Sequence, residues 1–321
     1  MKVQGRLLAR VAVAVLAVAP LTLSHAAAQT PAARQPALRA SAAPSSWTQS
    51  KTPDGQPDIQ GIWINFDSTP FERPLANPQP SRAPADPGTG PAGEFADHNH
   101  QVSARRPSMV IDPPDGRVPV MKWAEDKRDY DLAHIPDAPE HETPWVRCIT
   151  RGHPAGMFPA GYNNAYQIIQ TPGYVVFAFE MIHETRIIPI DGRPALGENI
   201  RQWNGEPRGR WEGNTLVVES TNYNSKGSVA TSAATGRMRG IPQTDAMKVV
   251  ERFTRVDENT INYVVTITDP KAYSRPWTVS LPLNRDDSYQ MFEYSCHEGN
   301  YALPNALSFG RMRDRENAGA K

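Results

Sequence analysis

Residues 248–268 have the sequence KVVERFTRVDENTINYVVTIT. Apolar and polar residues alternate on both sides of the polar triplet Asp-Glu-Asn at 257–259. Such alternation puts every second side chain on one face of a strand, here Ile261, Tyr263, Val265 and Ile267. The pattern therefore predicts a β-hairpin that joins strand 248–256 to strand 260–268.

Further strand-like segments flank this hairpin and are separated by turns rich in Pro, Gly, Asp and Asn. These predicted strands are Ile59–Ile64, Ser108–Asp112, Tyr166–Gln170, Tyr174–Ile182, Arg186–Ile190, Thr215–Ser220, Trp277–Asn284 and Tyr289–Cys296. One helix is predicted over 121–133. Consecutive short strands with one apolar face are typical of an antiparallel meander. The predicted fold is therefore mainly β, and we favour a lipocalin-like barrel over a two-sheet sandwich.

The composition of 31 Pro and 22 Gly is typical of short strands, many turns and long loops. We predict a disordered leader at 29–50, a single β-rich domain at 51–310 and a charged tail at 311–321. Within the domain, residues 67–107 are Pro-rich and are expected to wrap the main body or to be mobile.

The N-terminus has the features of a secretory signal peptide. Lys2, Arg6 and Arg10 precede the apolar run 11–23, and small residues at 26–28 fit a cleavage site before Gln29. The apolar run is short for a membrane span, and no later segment is long and apolar enough to be one. Without a twin-arginine pair, the Sec route is favoured, and the expected location is the periplasm or the exterior.

Charge excludes several classes of partner. The formal net charge is +0, and loss of the three basic residues of the signal peptide changes it to about −3, with no basic stripe in the remaining chain. This argues against nucleic acid and anionic membrane surfaces as partners. A small molecule is the expected partner, and the sequence leaves the oligomeric state open.

The chain contains two cysteines, Cys148 and Cys296. In an exported protein they are expected to form a disulfide, with two buried thiols as the alternative. The bond would hold their Cα atoms roughly 4.4–6.8 Å apart. It would therefore bring one group of polar residues, Arg147, Arg151 and His153, close to another, His297, Glu298 and Asn300.

The densest polar cluster within apolar sequence is Glu-Met-Ile-His-Glu-Thr-Arg at 180–186. His183 and Glu184 are candidates for proton transfer, and Arg186 is a candidate for stabilising an anion. The alternative is a strand end with a solvated ion pair. Continued alternation would place His183 with Phe177 and Phe179, and Glu184 and Arg186 on the opposite face.

The second catalytic candidate is the group that the disulfide would assemble, with His297 as the proton shuttle, Glu298 as its partner and Arg147 as the anion stabiliser. Arg151 and Asn300 are the substrate-binding candidates there. A run of amides and phenols suits hydrogen bonding to a hydroxylated or aromatic ligand. It adds the substrate-binding candidates Tyr162, Asn163, Asn164 and Tyr166, for which an ordinary turn is the alternative.

No cofactor or metal is expected. The sequence has no glycine-rich phosphate loop, no G-x-S-x-G elbow and no H-E-x-x-H motif, and its H-x-H pair, His98 and His100, lies in a polar loop. A disulfide-bonded cysteine also cannot act as a thiolate nucleophile.

Four phrases carry a resemblance to other proteins: GRWEGNTLVV at 209–218, ERFTRVD at 251–257, DPKAYSRPW at 269–277 and YSCHEGNY at 294–301. With these phrases in this order, residues 52–310 resemble a large group of secreted bacterial β-rich proteins. The resemblance implies a lipocalin-like fold and no particular activity.

The functional hypothesis is an exported lyase or isomerase that applies cofactor-free acid–base chemistry to a small, partly apolar molecule, aromatic or terpenoid-like. The main alternative is a non-catalytic lipocalin-type protein that binds a small molecule. Further alternatives are a metal-dependent enzyme with histidine ligands and an envelope-associated interaction protein.

Overall fold

The computed structural model describes residues 47–65, 67, 69–75 and 106–319. The predicted signal peptide, most of the predicted leader, and His98 and His100 lie outside the described residues. Both described ends of the Pro-rich segment pack against the main body. Phe71 is buried 4.9 Å from the ring of Phe158, and Arg106 donates to the carbonyl of Ser280 at 2.6 Å.

The described residues form ten strands and two α-helices. The strands are β1 (Gly61–Ile64), β2 (Val110–Asp112), β3 (Ala165–Thr171), β4 (Tyr174–Phe179), β5 (Thr185–Pro189), β6 (Glu206–Glu212), β7 (Thr215–Thr221), β8 (Lys248–Arg255), β9 (Thr260–Thr268) and β10 (Trp277–Arg285). The helices are α1 (Lys122–Ala133) and α2 (Ala302–Gly319). Neither these helices nor the 3-10 turns of the described chain have the length and apolarity to cross a bilayer.

The predicted hairpin is confirmed. Strands β8 and β9 pair antiparallel, with Val249 opposite Ile267 and Phe253 opposite Tyr263. The alternate residues of β9 and of β10 that were expected to share a face are all buried in the core, namely Ile261, Tyr263, Val265, Ile267, Trp277, Val279, Leu281 and Leu283. Burial of this continuous apolar face is the main force that stabilises the sheet.

The sheet has the strand order β5-β4-β3-β1-β10-β9-β8-β7-β6, with β2 paired to β10. From β3 to β10 every strand but one pairs with the next along the chain, and β1 joins the two ends of this meander by pairing with both β3 and β10. The sheet is thus nearly closed into an antiparallel barrel, which confirms the predicted lipocalin-like fold class.

The seam of the barrel lies between β5 and β6, which are neighbours without a shared ladder. Gly209 of β6 faces the isoleucines at the end of β5. A Cβ atom at Gly209 would lie 2.7 Å from Cγ2 of Ile190 and 2.8 Å from Cγ2 of Ile188, well inside normal contact. The missing side chain is therefore what allows the two edge strands to approach each other.

The structure corrects two local predictions and shows the conformation of a third segment. The segment predicted as strand Tyr289–Cys296 is irregular, because its Phe292 amide binds a side-chain carboxylate instead of a neighbouring strand. The strand predicted to reach Ile182 ends at Phe179, where the backbone enters a turn. Helix α2 includes most of the residues predicted as a charged tail. The helix predicted over 121–133 is confirmed as α1.

Candidate functional site

Cys148 and Cys296 form the predicted disulfide, with their Cα atoms 5.5 Å apart. The bond joins the loop before β3 to the irregular segment between β10 and α2. The side-chain amide of Asn300 donates hydrogen bonds of 3.0 Å to the carbonyl of Val146 and to Sγ of Cys148. The loop that follows Arg147 therefore lies against the last segment before α2, as the sequence predicts.

A cleft of about 560 Å³ opens between these two segments; we call it the aromatic cleft. Its lining residues come from the loop before β3, from the loop after β7 and from the segment before α2. They are Ile135, Glu142, Trp145, Val146, Tyr162, Arg239, Tyr294, Ser295, Cys296, Glu298, Gly299, Asn300 and Ala302.

Three half-buried aromatic side chains form the walls of the aromatic cleft. The ring centroids of Trp145 and Tyr162 are 6.3 Å apart, and those of Tyr162 and Tyr294 are 6.2 Å apart with the rings nearly parallel. Spacings of this size are typical of interacting aromatic rings. All three side chains are only partly buried and line the aromatic cleft.

A buried guanidinium supports this aromatic wall from behind. The Arg151 side chain lies 4.5 Å from the ring centroid of Trp145 and donates to Oγ1 of Thr231 at 2.8 Å. Burial lowers the pKa of Arg151 to about 10, so the group still carries its positive charge at neutral pH. The contact is a cation–π interaction, which holds Trp145 in place.

The aromatic cleft also contains charged side chains. Glu142 and Arg239 face each other with 3.8 Å between carboxylate oxygen and guanidinium nitrogen, and their side chains are only 11% and 13% exposed. Glu298 is exposed at the rim. The lining thus combines apolar ring surface with a few polar groups, which is the usual composition of a small-molecule site.

The turn at 180–184 fastens the segment before α2 to the barrel. The Glu180 carboxylate is buried and accepts hydrogen bonds from the Tyr289 hydroxyl at 2.9 Å and from the Phe292 amide at 3.1 Å. Nδ1 of His183 lies 3.1 Å from the carbonyl of Tyr294. Two side chains of one turn therefore set the position of the Tyr294 wall.

The same turn also contacts the loop that carries Trp145, on the opposite wall of the aromatic cleft. The Glu184 carboxylate accepts hydrogen bonds from the Thr150 hydroxyl at 2.6 Å, from the Arg151 amide at 3.2 Å and from the Asn204 side chain. Within the polar cluster predicted as catalytic, Glu184 and His183 thus contact the two walls of the aromatic cleft without lining it.

Arg186 lies elsewhere, in the interior of the barrel. Its guanidinium forms an ion pair with Glu251, with 3.0 Å between Nη1 and Oε1, and donates to Oγ of Ser220. Burial acts to lower the pKa of Arg186, but the charge and hydrogen bonds of Glu251 outweigh it and raise the pKa above its ordinary value. Burial and then the charge of Arg186 lower the pKa of His153, which is therefore neutral.

The other predicted site residues divide into two groups. Tyr162, Glu298 and Asn300 line the aromatic cleft, together with Cys296. His297 is exposed and does not line it, and the Arg147 guanidinium lies 3.9 Å from the Glu140 carboxylate, also outside the lining.

The remaining amide and phenol candidates have other environments. Asn164 is buried and bonds both the amide and the carbonyl of Ala160. Asn163 has a left-handed backbone with φ of 52°. Tyr166 is buried in the barrel among aromatic rings, where burial raises the pKa of its phenol well above the usual value.

Sequence reasoning missed Trp145, Tyr294, Glu142 and Arg239 as members of the site. A signal for the first two was present, because each aromatic residue lies within three positions of a cysteine that was expected to be bonded. No signal pointed to Arg239, which comes from a loop after β7 without a recognisable motif.

Across the described ranges, no group of three or more His, Cys, Asp and Glu side chains is placed to hold a metal ion. Comparison with protein-family models, with characterised proteins and with solved structures finds no match. The resemblance to secreted bacterial β-rich proteins therefore stays a prediction.

Proposed function

We propose that the protein binds a small, partly apolar aromatic molecule in the aromatic cleft. The observation that carries this proposal is the arrangement of Trp145, Tyr162 and Tyr294 around one cleft of about 560 Å³. Small-molecule sites are typically about 300–1,000 Å³ in volume and are lined mainly by apolar and aromatic side chains.

Backbone strain around the aromatic cleft supports the proposal. Six non-glycine residues of the described chain have left-handed φ values, and four of them lie in segments that form or hold its walls: Cys148 (53°), Asn163 (52°), Ile182 (60°) and His183 (42°). Such conformations are costly for residues other than glycine, most of all for a β-branched residue such as Ile182. They concentrate at ligand-binding and catalytic sites, where the surrounding structure maintains them.

The proposal is tested with naphthalene-2-carboxamide, a neutral two-ring aromatic probe, by isothermal titration calorimetry. Replacing Tyr294 with alanine is expected to weaken binding about 5- to 10-fold, because the probe loses one stacking surface worth about 1 kcal/mol. Tyr294→Phe keeps the ring and should retain most of the affinity.

Tyr130→Ala is the matched control, because Tyr130 is an exposed aromatic residue on α1, outside the lining. Equal losses in Tyr294→Ala and Tyr130→Ala would contradict the proposal, since they would show that the probe binds the surface without preference. Native mass spectrometry of the purified protein would identify a natural ligand that remains bound.

Acid–base chemistry on the same ligand is the second candidate function, and the position of Glu298 favours it. Glu298 is the one residue of the predicted catalytic set that lines the aromatic cleft, together with the phenols of Tyr162 and Tyr294. A carboxylate next to a bound ligand can accept and return a proton. Neither His183 nor His297 lines the cleft, so the proposal assigns this role to Glu298.

Proton transfer would be detected by incubating a co-purified ligand with the protein in D₂O and following deuterium incorporation at carbon by NMR. Glu298→Gln is expected to reduce the exchange rate by at least about a hundredfold, the usual contribution of a general base, while the ligand still binds. Undiminished exchange in Glu298→Gln, or none in the wild type, would leave binding alone as the function.

A further inference from the structure

Arg239 is the arginine that lines the aromatic cleft, and its environment is unusual. Its side chain is 13% exposed and makes no hydrogen bond to the described residues. The Glu142 carboxylate faces it at 3.8 Å, which is beyond hydrogen-bond distance. The Nε–H of this guanidinium is therefore buried without an acceptor, and its Nη2 faces Glu142 without a hydrogen bond.

Other buried arginines of the chain have protein acceptors. Arg186 binds Glu251 and Ser220, and Arg151 binds Thr231 at 2.8 Å and the carbonyl of Phe158. A buried charge is costly unless its donors are satisfied. Arg239 departs from this pattern, and it lines a cleft where a bound molecule can supply the missing acceptor.

We propose that the aromatic cleft accepts an aromatic carboxylate, whose carboxylate binds the guanidinium of Arg239 while its ring system packs between the aromatic walls. The proposal rests on the binding function proposed above and specifies its ligand class. A guanidinium presents parallel N–H donors that match the two oxygens of a carboxylate, which makes such pairs stronger and more directional than neutral hydrogen bonds.

The surrounding charges are compatible with an anionic ligand. Glu142 partly offsets Arg239, and Glu298 is exposed, so that solvent and salt screen its repulsion. The protonated Arg151 behind Trp145 adds positive potential, and Glu184, which lies near it, is already bonded to Thr150 and to the Arg151 amide. Among the buried lining groups, Glu142 is thus the one that opposes the ligand.

The test compares naphthalene-2-carboxylate with naphthalene-2-carboxamide, two probes of nearly equal size that differ in charge. Isothermal titration calorimetry at neutral pH gives the ratio of their dissociation constants. We expect the carboxylate probe to bind the wild-type protein at least about tenfold more tightly than the carboxamide probe. Hydrogen bonds to charged groups contribute about 1.5–3 kcal/mol, and about 1.4 kcal/mol corresponds to a tenfold change in the dissociation constant.

Variants at Arg239 and at Glu142 change the ratio in opposite directions. Arg239→Gln should bring it close to one, and Arg239→Lys should give an intermediate value, because lysine keeps the charge and loses the planar fork. Glu142→Gln should raise the ratio above the wild-type value by removing the opposing carboxylate. Arg147→Gln is the matched control and should leave the ratio unchanged. Arg147 lies in the same loop as Glu142 and Trp145 but does not line the aromatic cleft.

The outcomes separate the ligand class from the binding function. Equal binding of the two probes to the wild type, or an unchanged ratio in Arg239→Gln, overturns the carboxylate proposal and leaves the binding function intact. Failure of both probes to bind overturns both proposals. If Arg239→Gln does not fold, as judged by its thermal melt, the wild-type ratio and the Glu142→Gln variant decide.

Discussion

Replacing Glu251 with glutamine is expected to lower the free energy of unfolding by about 3–5 kcal/mol, because it leaves the Arg186 charge without its partner inside the barrel. The side chains of Arg186 and Glu251 are 4% and 0% exposed. Glu251 also accepts a hydrogen bond of 3.0 Å from the Tyr263 hydroxyl. Urea denaturation followed by circular dichroism measures the loss.

The effect is specific to the buried pair. Glu219→Gln on β7 breaks an exposed ion pair with Lys248, of 2.8 Å, and should cost less than about 1 kcal/mol. The triple variant Arg186→Met, Glu251→Leu, Tyr263→Phe removes both charges and the hydroxyl together, and should recover most of the stability lost in Glu251→Gln. A Glu251→Gln loss no larger than that of Glu219→Gln would contradict the assignment of a buried, ionised pair.

Replacing both cysteines with serine is expected to lower the free energy of unfolding by about 2–5 kcal/mol. The bond spans 148 residues of sequence, so its removal returns a large loop entropy to the unfolded chain. Binding of naphthalene-2-carboxamide should weaken as well, because Cys296 lies between Tyr294 and Glu298 in the wall of the aromatic cleft.

Reduction of the wild-type protein provides an independent check on this prediction. Wild-type protein in a dithiol reductant should match the double serine variant in both stability and probe affinity, and the reductant should not affect the variant. Identical denaturation midpoints for oxidised and reduced wild-type protein would show that the bond does not stabilise the fold.

The side chains of the polar cluster at 180–186 contact three different parts of the molecule. Glu180 and His183 contact the segment before α2, Glu184 contacts the loop of the opposite wall, and Arg186 points into the barrel. We interpret the turn as the element that positions both walls of the aromatic cleft. Sequence composition identified the importance of the segment but could not show where its side chains point, because the strand ends at Phe179 and alternation stops there.

Much of the fold was predictable because its signals are local. Alternation along β9 and β10 reports which face is buried, and the turn at 257–259 determines which strands pair. The strand predicted at Tyr289–Cys296 was wrong for a related reason. The sequence of this segment resembles a strand, yet the backbone amide of its Phe292 binds the Glu180 side chain, more than a hundred residues away in sequence.

The sequence by itself determined the antiparallel meander, because side-chain alternation and turns are local signals, and it limited any disulfide within the chain to Cys148 and Cys296, because no other cysteine is present. The tertiary structure alone decided where the barrel closes, at Gly209, and which side chains meet in the aromatic cleft. Arg239, Trp145 and Tyr294 come from three separate segments. Their meeting depends on packing and on side-chain contacts across long sequence separations, which no local pattern encodes.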